Sequence, residues 1–107
     1  MPAQPSPTIT IASGAQNSGA IGTGQATRGS FQLPTFTGTA ITVQVTNEDT
    51  PTNFTSCPVE GNEANPITVT SNGTYSFPVK TFSFKYVRLR SGSAEGAERS
   101  ISTFFRD

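Results

Sequence analysis

The sequence predicts an all-β protein: a single-domain antiparallel β-sandwich, jelly-roll-like or immunoglobulin-like, of about eight short strands with an extended N-terminal arm. Apolar and polar residues alternate at period two in several short runs, and no window shows a sustained helical period. Turn-forming residues separate these runs at intervals of about 8 to 12 residues, as in sandwiches and barrels. The chain has 107 residues, which suits one domain, and eight phenylalanines, which can fill its core.

The predicted domains are an arm over residues 1–7 and a sandwich over residues 8–107. Pro2, Pro5 and Pro7 lie in the arm. Proline has no N–H donor, so this segment suits neither a helix interior nor a central strand. We expect an extended, partly polyproline-like arm that becomes ordered against a partner, with a disordered tail as the alternative.

The alternating runs predict the strands in chain order. They cover residues 8–11, a short piece within 13–24, and then 30–33, 39–46, 53–57, 67–70, 74–77, 82–91 and 99–105. Ser71-Asn72-Gly73 separates two of these runs, and Asn-Gly in that position predicts a β-hairpin. Pro58 follows the run at 53–57, which suggests an edge strand.

The run at 82–91 is the longest, and it predicts a central strand with an apolar inner face and a cationic outer face. Phe82, Phe84 and Tyr86 share one parity, whereas Val87 and Leu89 share the other. This change of parity predicts a bend, bulge or change of sheet between Tyr86 and Val87.

The predicted core collects the apolar residues at inward positions of these strands. It comprises Ile9, Ile11, Phe31, Leu33, Ile41, Val43, Val45, Phe54, Val69, Tyr75, Phe77, Phe84, Tyr86, Leu89, Ile101 and Phe104.

The charge pattern argues against nucleic-acid and membrane partners. Seven basic and seven acidic residues give a formal net charge of zero, so no basic footprint for nucleic acid is visible. No apolar run reaches transmembrane length, and the N-terminus lacks the features of a signal peptide. We therefore expect the chain to be intracellular when it is made.

The residue types also argue against an enzyme and against a cofactor or metal. Histidine, the usual general base near neutral pH, is absent, and the chain has one cysteine, Cys57. Paired carboxylates or a calcium loop remain conceivable, but the acids show no calcium-loop spacing. All six considered lie in or beside predicted turns, where we expect them to be solvated: Glu48, Asp49, Glu60, Glu63, Glu95 and Glu98.

Three arginines, Arg88, Arg90 and Arg99, could form a basic stripe across adjacent strands. One interpretation is an ordinary outward strand face, balanced by Glu95 and Glu98. The other is an interface that meets an acidic surface. The sequence favours neither.

Several segments together resemble a family of small structural proteins of tailed-bacteriophage virions, among them the capsid decoration (cement) proteins. They are Thr8-Ile-Thr-Ile-Ala-Ser-Gly14, Ser18-Gly-Ala-Ile21, Leu33-Pro34, Ala40-Ile-Thr-Val-Gln-Val-Thr46, Phe84-Lys-Tyr-Val-Arg-Leu-Arg-Ser-Gly92 and Glu98-Arg99-Ser-Ile101. The resemblance covers roughly residues 8 to 105. The family usually carries a Trp or a second aromatic residue after its proline, where this chain has Phe36.

The resemblance implies a small β-sandwich on the outer surface of the phage head, stabilising contacts between major capsid protein subunits. The expected partners are the major capsid protein and further copies of this chain, with a trimer favoured and a dimer as the alternative. The interface candidates are Pro2, Pro5, Pro7, Arg88, Arg90 and Arg99. The alternative function is a receptor- or glycan-binding β module, such as part of a tail fibre or baseplate.

Overall fold

A computed structural model describes residues 7–69 and 73–106 of the chain. These residues contain nine strands and one short 3-10 helix, and every strand pair is antiparallel. The strands are β1 (Thr8–Ile11), β2 (Ile21–Gly22), β3 (Arg28–Leu33), β4 (Ala40–Thr46), β5 (Thr55–Ser56), β6 (Ile67–Thr68), β7 (Gly73–Ser76), β8 (Tyr86–Ser91) and β9 (Arg99–Arg106); the 3-10 helix is Val79–Ser83. The prediction of an all-β sandwich is confirmed.

The strands form two sheets. The first sheet has the order β1-β9-β3-β7, and the second has the order β2-β8-β4-β5, with β6 also paired to β4. In each sheet alternate side chains face the other sheet, as the period of a strand requires. Ile101 of the first sheet and Val43 of the second are both fully buried.

Aromatic rings fill one part of the core. The Phe77 ring lies 4.7 Å from that of Phe31 and 5.5 Å from that of Phe105, and Phe82 meets Phe105 edge to face at 5.3 Å. Gly29 allows this contact, because a Cβ there would lie 2.8 Å from the Phe105 ring and 3.0 Å from that of Phe82.

The register of β9 corrects the predicted core. Phe105 is 2% exposed, whereas Phe104, which we assigned to the core, is 44% exposed. Ile101 faces inward, so alternation also turns residues 103 and 105 inward and 104 outward. In the second sheet Val87 is buried and Tyr86 is not, which is again one register position from the prediction.

The prediction of a single strand over residues 82–91 is wrong in its first half. Phe82 lies in the 3-10 helix, which begins after Pro78, and β8 begins only at Tyr86. The chain bends at Phe84 and Lys85, between the helix and β8, and not between Tyr86 and Val87 as predicted, since both of these lie within β8. From Val87 onward the prediction is confirmed: β8 lies between β2 and β4, with Leu89 inward and Arg88 on the other face.

The predicted hairpin around Asn72-Gly73 is also wrong. β6 pairs with β4 in the second sheet, whereas β7 pairs with β3 in the first. Thr70 to Asn72 fall outside the described residues. The chain crosses between sheets here, so the long-range pairing of each strand overrides the local turn signal.

The amide of Asn65 completes the second sheet between β5 and β6. Its Oδ1 accepts from the Val43 N–H (2.9 Å), and its Nδ2 donates to the carbonyls of Val43 (3.0 Å) and Cys57 (2.9 Å). The side chain thus supplies the donor and acceptor that a strand residue would offer. Only two residues, Thr55–Ser56, form the strand predicted over 53–57, and they lie at the sheet edge as expected.

Candidate functional site

The outer face of the first sheet carries small polar side chains around one exposed phenylalanine. Among the described residues of its four strands, none of the outward side chains is acidic. The outward residues are Thr8, Thr10, Arg28, Ser30, Gln32, Thr74, Ser76, Ser100, Ser102, Phe104 and Arg106. An exposed aromatic residue in such a setting is a common anchor of protein interfaces.

We call the area around this phenylalanine the Phe104 surface and define it by Arg28, Phe77, Val79, Phe104 and Arg106. These residues line one open groove of about 440 Å³. Phe77 is buried beneath it, whereas Val79 is 56% and Phe104 is 44% exposed. The Arg106 guanidinium lies 5.8 Å from the Phe104 ring centroid, within the range of a cation–π contact.

The two arginines of the Phe104 surface face each other across strands. Arg28 and Arg106 are direct partners in the register of β3 and β9, and like charges in that arrangement are destabilising. Within the described residues, neither arginine forms a salt bridge. The carboxylate of Glu63 also lines the groove, but it accepts the backbone N–H groups of Val79 (2.7 Å) and Glu60 (3.1 Å).

The predicted basic stripe is wrong as a single surface. Arg88 and Arg90 lie on β8 in the second sheet, whereas Arg99 lies on β9 in the first, so these strands are not adjacent. Arg99 instead donates from Nε to the buried Glu95 (2.9 Å).

Arg88 and Arg90 are half-buried and held by neutral partners. The Arg88 Nε donates to the Gln44 amide oxygen (2.7 Å), and its guanidinium lies 4.2 Å from the Phe54 ring centroid. Burial, and secondarily the charge of Arg90, lower the pKa of Arg88. The Arg90 guanidinium donates to the side chain of Asn17 (2.9 Å). As interface candidates these two arginines remain a prediction.

Glu95 contradicts the expectation that the acids are solvated, since it is 1% exposed. Its carboxylate accepts four hydrogen bonds, from the Thr37 N–H (2.8 Å), the Gly38 N–H (3.0 Å), the Ser91 hydroxyl (2.6 Å) and Arg99. Burial acts to raise the pKa of Glu95, but these hydrogen bonds outweigh it and hold the pKa at about 2. We call this group the Glu95 clamp.

The Glu95 clamp fastens three loops at one end of the sandwich. The side chain holds the β3–β4 connection, while the backbone of Glu95 bonds to that of Gly14 (2.7 Å) and Ala15 (3.0 Å). Gly38 is needed there, because a Cβ would lie 2.4 Å from the Ser91 hydroxyl oxygen. With both oxygens buried and bonded, this carboxylate has a structural role and offers nothing to a substrate.

The arm enters the described structure at Pro7, whose carbonyl accepts the Thr103 hydroxyl; Pro2 and Pro5 fall outside the described residues. The Thr10 carbonyl accepts a hydrogen bond from the Gly19 N–H, so the backbone groups of Thr10 point away from β9. Alternate residues of an antiparallel strand face its partner, so position 7 faces β9. Proline offers no N–H there, so the ladder has no backbone donor at position 7.

A second cleft, of about 730 Å³, lies where β2 and β4 end and β8 begins. Its lining mixes aromatic and polar side chains, including Asn47, Phe84, Lys85 and Tyr86. Lys85 is engaged there, because its ammonium forms a 2.6 Å ion pair with Asp49.

Residues 7–69 and 73–106 were also compared with the requirements of a metal site, a reactive thiol and a membrane-spanning helix. They contain no group of three or more His, Cys, Asp or Glu side chains placed to hold a metal ion. Cys57 is buried, which raises the pKa of its thiol. Across the same ranges, no helix is both long and apolar enough to span a membrane.

The chain was compared with protein-family models, with curated proteins and with solved structures, and none of them matches it. The resemblance to phage virion proteins therefore remains a prediction. Because both Ile101 and Phe104 are predicted core residues, the sequence does not predict the Phe104 surface. Strict alternation from Ile101 along the last strand is the signal that identifies Phe104 as outward.

Proposed function

We propose that this protein is a bacteriophage capsid decoration (cement) protein. It binds the outer surface of the head and stabilises contacts between major capsid protein subunits. The two-sheet fold, the neutral charge and the resemblance of the sequence to virion proteins support this proposal. In this role the protein is a structural component of the virion and not an enzyme.

The observation that carries the proposal is the Phe104 surface. Interfaces between proteins are enriched in aromatic residues and arginine and depleted in lysine, acids and serine, so the support here comes from Phe104 and the two arginines. Phe104 lies between hydroxyl-bearing residues and two arginines on an open sheet face. A large exposed ring of this kind gains most when a partner protein removes it from water.

The size of this face favours several linked contacts. The strands β1, β9, β3 and β7 have 4, 8, 6 and 4 residues. At about 4.8 Å between strands and about 3.4 Å per residue they cover about 360 Å², less than half of the roughly 800 Å² that each partner contributes to a standard interface. One copy alone therefore binds weakly, whereas linked copies gain from a high effective concentration. We propose a homo-trimer at local three-fold positions of the head, with a dimer at two-folds as the alternative.

The arm adds a second contact in this proposal. Pro7 has no N–H to donate, so the β1–β9 ladder gains no backbone hydrogen bond from it where the arm begins. Proline also lowers the entropy of the free chain, so ordering the arm on a partner costs less. Pro2, Pro5 and Pro7 then lie along the capsid or a neighbouring copy.

The direct test is binding to undecorated capsids, measured by co-sedimentation. Phe104→Ser should reduce the amount bound at subsaturating protein at least about tenfold, as expected for an interface anchor. Thr42→Ala, at an outward position of β4 in the opposite sheet, is the control and should bind like the wild type. Equal binding by Phe104→Ser would contradict attachment through this surface. No binding by the wild type would contradict the function.

The second candidate, a receptor- or glycan-binding module of a tail fibre or baseplate, draws on the cleft beside Tyr86. Aromatic and polar groups together suit a sugar. Binding of the isolated protein to glycans or host cells, lost in Tyr86→Ala while capsid binding is absent, would favour this candidate over decoration.

A further inference from the structure

The Phe104 surface combines two cross-strand arginines, which form no salt bridge among the described residues, with a largely apolar groove that Glu63 also lines. Arg28 and Arg106 are direct cross-strand partners, and neither forms a salt bridge within the described residues. Both are exposed, as is Phe104 beside them. The repulsion between the two guanidinium groups is relieved when an anion lies between them, because each can then donate charge-assisted hydrogen bonds to it.

The spacing of these residues defines what fits. Phe104 and Arg106 are two positions apart on the outward side of β9, a separation of about 7 Å along the strand. In an extended peptide, residues i and i+2 are also about 7 Å apart and lie on the same side. Two such residues can therefore contact Phe104 and Arg106 at the same time. A carboxylate at one of these residues meets the arginine pair, and an apolar side chain at the other enters the groove between Phe104 and Val79.

We propose that the Phe104 surface binds an extended acidic segment of a partner protein, in which a carboxylate and an apolar side chain lie two residues apart. The inference rests on the proposed function in that the segment would belong to a shell subunit. It names the chemistry of that contact, which the fold and the resemblance leave open.

Charge excludes two other occupants. The arm of a second copy, Met1–Ser6, carries no charged side chain and would leave Arg28 and Arg106 unbalanced. Two copies packed through this same face would bring four arginines together, a costly arrangement in a desolvated interface. An acidic segment with a nearby apolar side chain matches both the arginine pair and the groove.

The test uses the isolated full-length protein, so its outcome does not depend on capsids. The probe is the peptide acetyl-Leu-Ser-Glu-Ser-Leu-amide, which offers the acid–apolar spacing in both directions, and its control replaces Glu by Gln. Titration of ¹⁵N-labelled protein should shift the amide signals of Arg28, Phe104 and Arg106 in a saturable way. The Gln peptide should bind at least about tenfold more weakly, the usual size of a lost charge-assisted hydrogen bond.

Variants separate the two parts of the contact. Arg28→Gln and Arg106→Gln should each weaken binding of the Glu peptide about fivefold or more and reduce the difference between the two peptides. Phe104→Ser should weaken both peptides similarly. Lys85→Gln removes the same charge at the other cleft and should change nothing. Each variant's ¹⁵N spectrum reports directly whether it is folded.

Three outcomes would overturn the inference. One is equal binding of the Glu and Gln peptides, and another is a shift centred on Arg88 and Arg90. The third is stronger binding by a peptide of residues 1–7, which would make the arm the occupant. If the Glu peptide binds but capsids do not, the docking chemistry stands and the decoration function fails.

Discussion

Replacing Glu95 by glutamine tests whether the Glu95 clamp holds one end of the sandwich together. Glutamine has nearly the same shape, so the change removes the charge and one acceptor without leaving a cavity. Four donors converge on the carboxylate, from Thr37, Gly38, Ser91 and Arg99. In glutamine an NH₂ group replaces one of the two carboxylate oxygens. This group cannot accept a hydrogen bond, so the N–H or O–H groups that pointed at that oxygen are left buried without an acceptor.

The pKa of Glu95 gives the size of the stability that its ionised carboxylate contributes. It falls from an ordinary value of 4.5 to about 2 in the folded protein. At 1.36 kcal/mol per unit, this difference corresponds to about 3 kcal/mol of stability at neutral pH. The side chain is fully buried, so solvent does not screen these hydrogen bonds. For a domain of this size a loss of 3 kcal/mol lowers the melting temperature by at least about 10 °C.

The same shift determines the pH dependence. Because the folded state binds the proton of Glu95 more weakly than the unfolded state, its stabilisation is complete above about pH 4.5. It is lost as the pH falls from there toward about 2. The difference in free energy of unfolding between the wild type and Glu95→Gln should therefore shrink through this window. Taking the difference removes the contributions of other acids, such as Glu48, whose pKa is also about 2 because its carboxylate accepts backbone N–H bonds from Asn53 and Thr52.

The assay is urea denaturation at pH 7 and at steps between pH 6 and pH 2, followed by circular dichroism. Glu98→Gln is the matched control, because Glu98 is exposed three residues away and should stay within about 0.5 kcal/mol of the wild type. A Glu95→Gln protein within 1 kcal/mol of the wild type at pH 7, or a difference that does not change with pH, would refute the reasoning.

Three further predictions concern other contacts. Gly38→Ala places a Cβ about 2.4 Å from the Ser91 hydroxyl oxygen and should lower stability to urea by about 1–3 kcal/mol; an unchanged midpoint would mean that the loop adjusts freely. Asn65→Ala removes the hydrogen bonds to Val43 and Cys57 and should cost about 2 kcal/mol in the same assay, whereas the exposed Asn62→Ala should cost almost nothing. Deleting residues 1–6 should leave the melting temperature unchanged and weaken capsid co-sedimentation; full-strength binding would show that the arm is dispensable.

The alternation of apolar and polar residues predicted correctly those strands whose apolar positions are buried against the opposite sheet. The run at 39–46 became β4 with Ile41, Val43 and Val45 inward, because each inward position is covered by the opposite sheet. The run at 8–11 became β1 for the same reason. Here the period of two in the sequence and the burial in the fold agree.

Features that depend on distant partners were not predictable in this way. Glu95 lies in a turn, and two of the four donors that make its burial favourable, the N–H groups of Gly38 and Thr37, are 57 and 58 residues away. The Asn72-Gly73 signal is local, whereas β6 and β7 pair with strands of different sheets. Phe104 was missed for a different reason, since two adjacent phenylalanines compete for one inward position and the register of β9 decides between them.

The most direct measurement of the central claim is a cryo-EM map of phage heads decorated with this protein. The proposal predicts symmetric copies on the outer surface, with the sheet of β1, β9, β3 and β7 against the shell. Phe104 should be buried at the contact, and an acidic side chain of the shell should lie between Arg28 and Arg106. Copies attached through the opposite sheet, single asymmetric copies, or heads without added density would contradict it.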